Sequence, residues 1–439
     1  MKLNSPRGNF IPLFAFMVLA FAPGTARAQI SQDYIVRYRI GASQNSRANS
    51  VLRAGGQLRH NYAIVDAAAV TVRNPNVLAA LQSDPDVLSV VADHAVFAFQ
   101  NGNAANQPNA KPGGGGGGTP PPSGDLFPAG VERIGRPTLT SGAGVGVAIV
   151  DTGIDLQHQD LTPGAATFSA FGSSCQDNNG HGTHVAGIVA AKMGNQRDVV
   201  GVAPAATVFC VKVLDASGSG SDSAVIAGLD WVYQNHEAVT PNIKVVNMSL
   251  GRPAESDGSD ALMRDAIARL TDAHIAVVVA AGNDASVDVS AQVPAGFSEV
   301  FSVASTTARA GVSSCRRFKA AISQDVASYF TTDGNGVTIS APGEEAEDVN
   351  SGCFISSVGI LSLKAGGGTT RMSGTSMAAP HVAGVVARLI SANSSYTIEG
   401  LRSALTSSPF LKGTAPYDSP TTSYSFDGIR EGVVKAPPQ

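Results

Sequence analysis

Three segments of the chain leave few folds open. Val145-Gly146-Val147-Ala148-Ile149-Val150, Val245-Val246-Asn247-Met248-Ser249-Leu250 and Ile275-Ala276-Val277-Val278-Val279-Ala280 are nearly unbroken apolar runs. A strand with one wet face alternates apolar and polar residues. A run without that alternation has to be covered on both faces. Stretches with helical spacing, Ser223 to Asn235 and Ser259 to Ala273, lie between the runs. Strand and helix in alternation predict an α/β domain over 124–439, a doubly wound, mostly parallel sheet with helices on both faces. In such sheets chemistry gathers at the C-terminal ends of the strands, and the first run ends at Asp151.

The chain upstream reads differently. Tyr34 to Ile40 alternates like a strand, and Ser43 to Arg53 has helical character. Leu58 to Val65 and Ala68 to Val72 read as two more strands, and Asn74-Pro75-Asn76 opens a helix running to about Gln82. Val87 to Val91 returns to strand. The order β-α-β-β-α-β predicts a small α+β, ferredoxin-like domain over 29–100, marginally stable by itself. Residues 101–123 carry Gly113 to Gly118 and Pro120 to Pro122, a composition that cannot bury a core and marks a linker or processing region.

Residues 1–28 read as an export signal: Lys2 and Arg7, an apolar run from Phe10 to Ala22, then Ala26-Arg27-Ala28. The run is short for a membrane span; an uncleaved anchor is the alternative. A secreted or periplasmic protein is expected, with no membrane contact after signal removal. Hydrophobic residues at 43% and charged residues at 15% exclude wholesale disorder. A net charge of −4 provides no basic field, which excludes nucleic acid as a main partner.

Three further segments carry reactive side chains beside glycine: Val150 to Asp155, Asn179 to Gly187, and Ser373 to Gly384. A serine hydroxyl is a poor nucleophile at neutral pH. It needs a base within reach, and the base needs a partner that fixes its tautomer. Ser376, His181 and Asp151 can fill those roles, with Asp155 and Asp160 as alternatives to Asp151. Gly374-Thr375-Ser376-Met377-Ala378 departs from the G-x-S-x-G elbow of esterases.

DTGI at 151–154, HGTHVAG at 181–187 and GTSMAAPHVAG at 374–384 strongly resemble the subtilisin-like serine peptidases, the subtilases. The likeness covers nearly all of 124–439. It implies a secreted serine endopeptidase working through an acyl-enzyme, with Asp151, His181 and Ser376 as triad, Asn283 and the Ser376 backbone N–H as oxyanion donors, and His184 as a structural residue. It implies that Gly218-Ser219-Gly220 and Ser249-Leu250-Gly251 sandwich an extended polypeptide. Ala281 and Gly282 would wall the first specificity pocket, with Gln292 near its floor. Residues 34–99 resemble the inhibitory propeptide of secreted subtilases. That implies a self-processing zymogen inhibited by its own propeptide, whose Val96 to Gln100 end lies in the cleft and is cut between about residues 99 and 124. A monomer is expected. The other classes are an inactive subtilase-like scaffold and an esterase.

The chemistry implies no cofactor; structural calcium is a separate expectation. Thr338 stands where relatives carry a calcium-binding aspartate before Ala341-Pro342-Gly343, while Asp160 with the loop Lys192 to Val200 offers another site. Two insertions relative to compact subtilases, Ala310 to Lys319 and Glu344 to Val358, carry Cys315 and Cys353. The acidic run Glu344-Glu345-Ala346-Glu347-Asp348 in the second reads as a solvated loop. Four cysteines allow three pairings. Placement favours Cys175–Cys210, bracing the loop before His181, and Cys315–Cys353, joining the insertions; free thiols are the alternative.

Overall fold

The computed structural model describes residues 32–99, 124–317, 322–419 and 426–437. The expected export signal and residues 101–123 lie outside them, as does Gln100.

The first unit runs β1 (Gln32–Tyr38), α1 (Gln44–Ala54), β2 (Gln57–Asn61), β3 (Ala67–Val72), α2 (Pro75–Gln82) and β4 (Val87–Ala92). Its sheet has the order β2-β3-β1-β4, antiparallel throughout. Local chemistry sets the helix ends: the Ser43 hydroxyl accepts from Ser46 N–H and Asn74 caps α2 ahead of Pro75. The strands alternate between two cores. Val36, Tyr38 and Val70 pack with Val51, Val77 and Leu81 of the helices. Ile35, Ala67 and Ala69 face the larger unit and pack into its core. The strand expected to reach Val65 stops at Asn61 because the next residues turn to that larger unit. There the Tyr62 hydroxyl donates to the Ser223 carbonyl at 3.0 Å, and the N–H groups of Ala63 and Ile64 donate to Asp230 Oδ1 at 2.9 and 2.7 Å.

After β5 (Ala95–Ala98) the chain re-enters the described residues and runs α3 (Ala129–Ile134), β6 (Gly146–Asp151), β7 (Phe168–Ser169), α4 (His181–Ala190), β8 (Thr207–Lys212), β9 (Ser219–Ser221) and α5 (Asp222–Asn235). Next come β10 (Ile243–Met248), β11 (Leu250–Pro253), α6 (Ser259–Asp272), β12 (Ala276–Ala280), β13 (Gln292–Val293), β14 (Phe301–Thr307) and β15 (Val337–Glu344). The chain ends with β16 (Ala346–Val349), β17 (Ile355–Val358), β18 (Ile360–Leu363), β19 (Thr369–Met372), α7 (Thr375–Ala392) and α8 (Ile398–Ser407).

The main sheet is parallel, in the order β15-β14-β12-β10-β6-β8-β7. Every residue of β6 is buried. Val147 and Ile149 pack with α4 and α7 on one face, Ala148 and Val150 with α5 and α6 on the other. This two-sided burial is what the apolar runs demand. No helix among the described residues is long and apolar enough to cross a membrane.

Both expected disulfides are present, Cys175–Cys210 and Cys315–Cys353. The first spans a sequence separation of 35 residues. In the chain-entropy account a loop of that size contributes about 4 kcal/mol. A Cys175→Ala/Cys210→Ala chain is therefore expected to unfold at markedly lower denaturant concentration, read by circular dichroism in a Ser376→Ala background that prevents self-digestion. A loss below about 1 kcal/mol would overturn the estimate.

The acidic run is not a solvated loop. Glu344 ends β15 and Glu347 sits in β16, and both are fully buried. The inserted hairpin β16–β17 is tethered through Cys353 to Cys315; the Ser357 hydroxyl of that hairpin holds Glu344 and the Tyr329 N–H holds Glu347, which keeps both carboxyls inside.

Candidate active site

Asp151, His181 and Ser376 come from three separate elements, each with no solvent exposure. Asp151 ends β6 and His181 opens α4. His181 Nδ1 lies 2.7 Å from Asp151 Oδ1 and 2.9 Å from Oδ2. A carboxylate there fixes the proton on Nδ1 and leaves Nε2 as the basic nitrogen. Nε2 is buried with no hydrogen-bond partner. Close packing makes the approach possible: a Cβ on Gly182 would fall 2.1 Å from the Gly153 carbonyl oxygen. Asp155 instead accepts N–H groups from Gly366 and Gln157.

Ser376 is the second residue of the 18-residue helix α7, so negative charge developing beside it meets the positive end of the helix dipole. Its hydroxyl donates to the Ser249 carbonyl at 3.1 Å and makes no hydrogen bond to His181. Asn283 follows β12. Its Oδ1 accepts from the Thr375 N–H and the Thr375 hydroxyl, each at 2.9 Å, which turns its NH₂ group outward. Gly374, at φ 147°, leaves that space open.

The space is filled by this chain's own Phe99. Strand β5 lies between β9 and β11, antiparallel to both, with Val96 opposite Gly220, Phe97 opposite Ser219 and Gly251, and Ala98 opposite Leu250. Ala98 N–H donates to the Gly218 carbonyl at 3.0 Å and Phe99 N–H to that of Ser249 at 3.3 Å. The Phe99 carbonyl accepts from Asn283 Nδ2 at 3.1 Å. The Phe99 ring packs so closely on Gly251 that a Cβ there would fall 2.5 Å from Cζ. Glycine on both flanking segments permits this approach. Gly282 N–H donates to Thr375 Oγ1 at 3.1 Å, and a Cβ on Gly282 would lie 3.5 Å from Gln292 Cγ, so Gln292 borders this turn. Ala281, just before it, is fully buried.

His184 and His381 are also buried, and burial drives their imidazoles down to about 3 and about 4. Both are neutral and hydrogen-bonded to backbone carbonyls.

Asp177 plays a part the sequence reading passed over. Its carboxylate accepts from the Thr152 hydroxyl, the N–H groups of Asn179, Gly180 and Thr183, and the Thr183 hydroxyl, at 2.6 to 3.0 Å. It ties the Asp151 strand end to the start of the His181 helix. An acid just before a glycine-rich helix start was the available signal.

At the positions expected for calcium the side chains meet partners within the chain. Asp160 accepts from Asn195 Nδ2 at 2.5 Å and Val199 N–H at 3.3 Å. Asp125 accepts from Gly194 and Gln196 N–H. This loop turns N–H groups toward both carboxylates. At Thr338 an internal cation is present: Arg402 donates to the Thr338 hydroxyl at 3.2 Å and to the Ser298 and Val300 carbonyls at 3.0 and 2.9 Å.

The model of the Subtilase family matches residues 142–424 of this chain. Subtilisin E of Bacillus subtilis (strain 168) is 30% identical over 407 residues, covering 90% of each chain. A thermostable alkaline protease of Halalkalibacterium halodurans is 38% identical over 262 residues, 60% of this chain and 61% of that one. Among solved structures, a cold adapted subtilisin-like serine proteinase superposes with a TM-score of 0.52 at 28% identity, over 71% of this chain and 98% of the other. Fervidolysin from Fervidobacterium pennivorans, a keratinolytic enzyme related to subtilisin, has a similar fold, with a TM-score of 0.64 at 23% identity over 93% of this chain and 60% of its own.

Proposed function

This chain belongs to the subtilase family and is a subtilisin-type serine endopeptidase, and from that premise we propose that it is exported as a zymogen which cuts itself after Phe99. The observation that carries the proposal is the Phe99 carbonyl on Asn283, at the end of a strand held between β9 and β11. Main-chain pairing of this kind holds an extended peptide whatever its sequence. The same grip suits other polypeptide substrates once residues 29–100 have left.

In the proposed reaction the Ser376 hydroxyl leaves the Ser249 carbonyl and donates its proton to His181 Nε2 as Oγ bonds to the Phe99 carbonyl carbon. Asn283 and the Ser376 N–H stabilise the oxyanion. As the C–N bond to Gln100 breaks, His181 gives the proton to the leaving nitrogen. Water, deprotonated by the same nitrogen, then releases the acyl group and restores Ser376. Asp151 holds the imidazole and stays ionised throughout. None of these steps requires a cofactor. The enzyme acts as a monomer, in the periplasm or outside the cell.

The test is N-terminal sequencing of the purified product together with inhibition in trans. The first cut is expected between Phe99 and Gln100, with further trimming along the Gly- and Pro-rich sequence that follows. A folded 29–100 peptide is expected to inhibit the mature enzyme competitively at or below micromolar concentration. A primary cut elsewhere, or no inhibition by the folded peptide, would overturn the zymogen reading and leave the endopeptidase assignment standing.

A further inference from the structure

Glu344 and Glu347 are fully buried and close enough to hydrogen-bond to each other. Each also keeps one side with the protein. The Ser357 hydroxyl donates to Glu344 Oε2, Ser328 hydrogen-bonds to the same carboxyl group, and Tyr329 N–H donates to Glu347 Oε1 at 2.7 Å. That leaves Glu344 Oε1 and Glu347 Oε2, both buried and both without a donor. Two orphan acceptors in one dry contact are satisfied together by a single proton, whereas two buried carboxylates in contact repel.

The main influences on the pair, among the described residues, include no opposite charge. Among the described residues the nearby ionic groups are engaged elsewhere. Arg309 and Arg371 pair with Glu345, and Arg309 also with Glu132; Arg136 pairs with Glu132 as well. Arg133 pairs with Asp325, and Asp348 accepts the Val312 N–H. On α7 and α8, His381 bonds the Met377 carbonyl, Arg388 that of Gly135, and Arg402 those of Ser298 and Val300; Glu399 lies beside Arg402. Burial and the neighbouring carboxylate raise Glu344, and burial raises Glu347.

The pair connects directly to the segment carrying Ser376. Ser357 Oγ lies 2.7 Å from Ser373 Oγ, and Gly374 N–H donates to the Gly343 carbonyl at 3.0 Å. Residues 343 and 344 thus hold the turn Ser373-Gly374, which runs straight into Thr375 and Ser376.

We propose that Glu344 and Glu347 share one proton, and that the singly protonated pair is a positioning device for the turn that presents the nucleophile. This rests on Ser376 being that nucleophile. The inserted hairpin thereby makes the alignment of Ser376 depend on pH. The sign follows from linkage: a carboxyl group raised on folding stabilises fully below its unfolded value near 4, and that contribution is lost as pH rises through its folded value. Rising pH should therefore slacken the turn as it passes that folded value.

The test compares mature wild type with Glu344→Gln and Glu347→Gln from about pH 6 to about pH 10. Glutamine is the isostere of the neutral acid and donates to the remaining carboxylate without a titrating proton. With kcat normalised to each enzyme's own value at low pH, wild type is expected to fall at the alkaline end and the Gln variants to hold. Their ratio should grow by up to about tenfold per pH unit above the transition. The thermal midpoint of the chain in a Ser376→Ala background should show the same divergence. Superimposable alkaline profiles would overturn the proposal. So would failure of both Gln variants to fold, since the pairing requires one of the two positions to be neutral. Absence of activity at every pH in wild type would instead count against Ser376 as the nucleophile.

Discussion

Ser376→Ala is expected to leave the chain folded, uncleaved after Phe99 and without measurable peptidase activity. The proposed mechanism has one nucleophile for maturation and for substrate turnover, so both stop together. The loss in kcat should approach about 10⁶-fold, the figure established for the same kind of substitution in subtilisin. His181→Ala should cost nearly as much, because a serine without its base is only an alcohol. Asp151→Ala should cost somewhat less, since it removes the imidazole's anchor at 2.7 Å and leaves the base itself. The losses should not add: a chain lacking all three side chains should be about as slow as the Ser376→Ala chain, because the groups act as a unit. The measurement is single-turnover cleavage of a fluorogenic peptide, with intact mass as the readout of maturation. Release of a mature form by purified Ser376→Ala chain would overturn self-processing, even if turnover of added peptide were lost.

Much of this was written in the sequence at the level of pattern. The apolar runs demanded two-sided burial, and β6, β10 and β12 have it. The glycine-flanked Asp151 ends β6, and His181 and Ser376 lie at the starts of α4 and α7. What could not be read depends on which way side chains face once distant segments meet. Glu344 and Glu347 look like a solvated acidic stretch because most such runs are. Only once Ala346 to Val349 pair with Ile355 to Val358 do Ser357 and Tyr329 come to hold the two carboxyls inside. Tyr62 to Ile64 continue an apolar pattern that reads as strand, but their hydrogen bonds go to Ser223 and Asp230, more than 150 residues away. Asp177 shows the same limit at short range: its five donors are visible only after Thr152 and Thr183 have been brought to it.

Asn283→Ala is expected to lower kcat by about 10²- to 10³-fold with little change in KM. The size is that found for the corresponding asparagine of subtilisin. Phe99 supplies the reason to expect it here. Its carbonyl oxygen sits 3.1 Å from Asn283 Nδ2 before any charge has developed. A neutral carbonyl has the backbone pairing of Ala98 and Phe99 to hold it, so losing one donor should weaken ground-state binding little. As Oγ adds, the oxygen becomes an anion, and the same hydrogen bond strengthens. The fixed orientation of the Asn283 amide matters as much as its presence. Thr375 pins Oδ1 through both its N–H and its hydroxyl, so the NH₂ group faces the carbonyl without reorganising during the reaction. Thr375→Val removes the hydroxyl and keeps the N–H, and should produce a smaller fall in kcat in the same direction. Affinity for the folded 29–100 peptide should barely change in either variant, because that complex contains only the neutral carbonyl. A rise in KM or a loss of inhibitor affinity as large as the fall in kcat would show that Asn283 binds the ground state and the transition state alike, and would remove it from the oxyanion role.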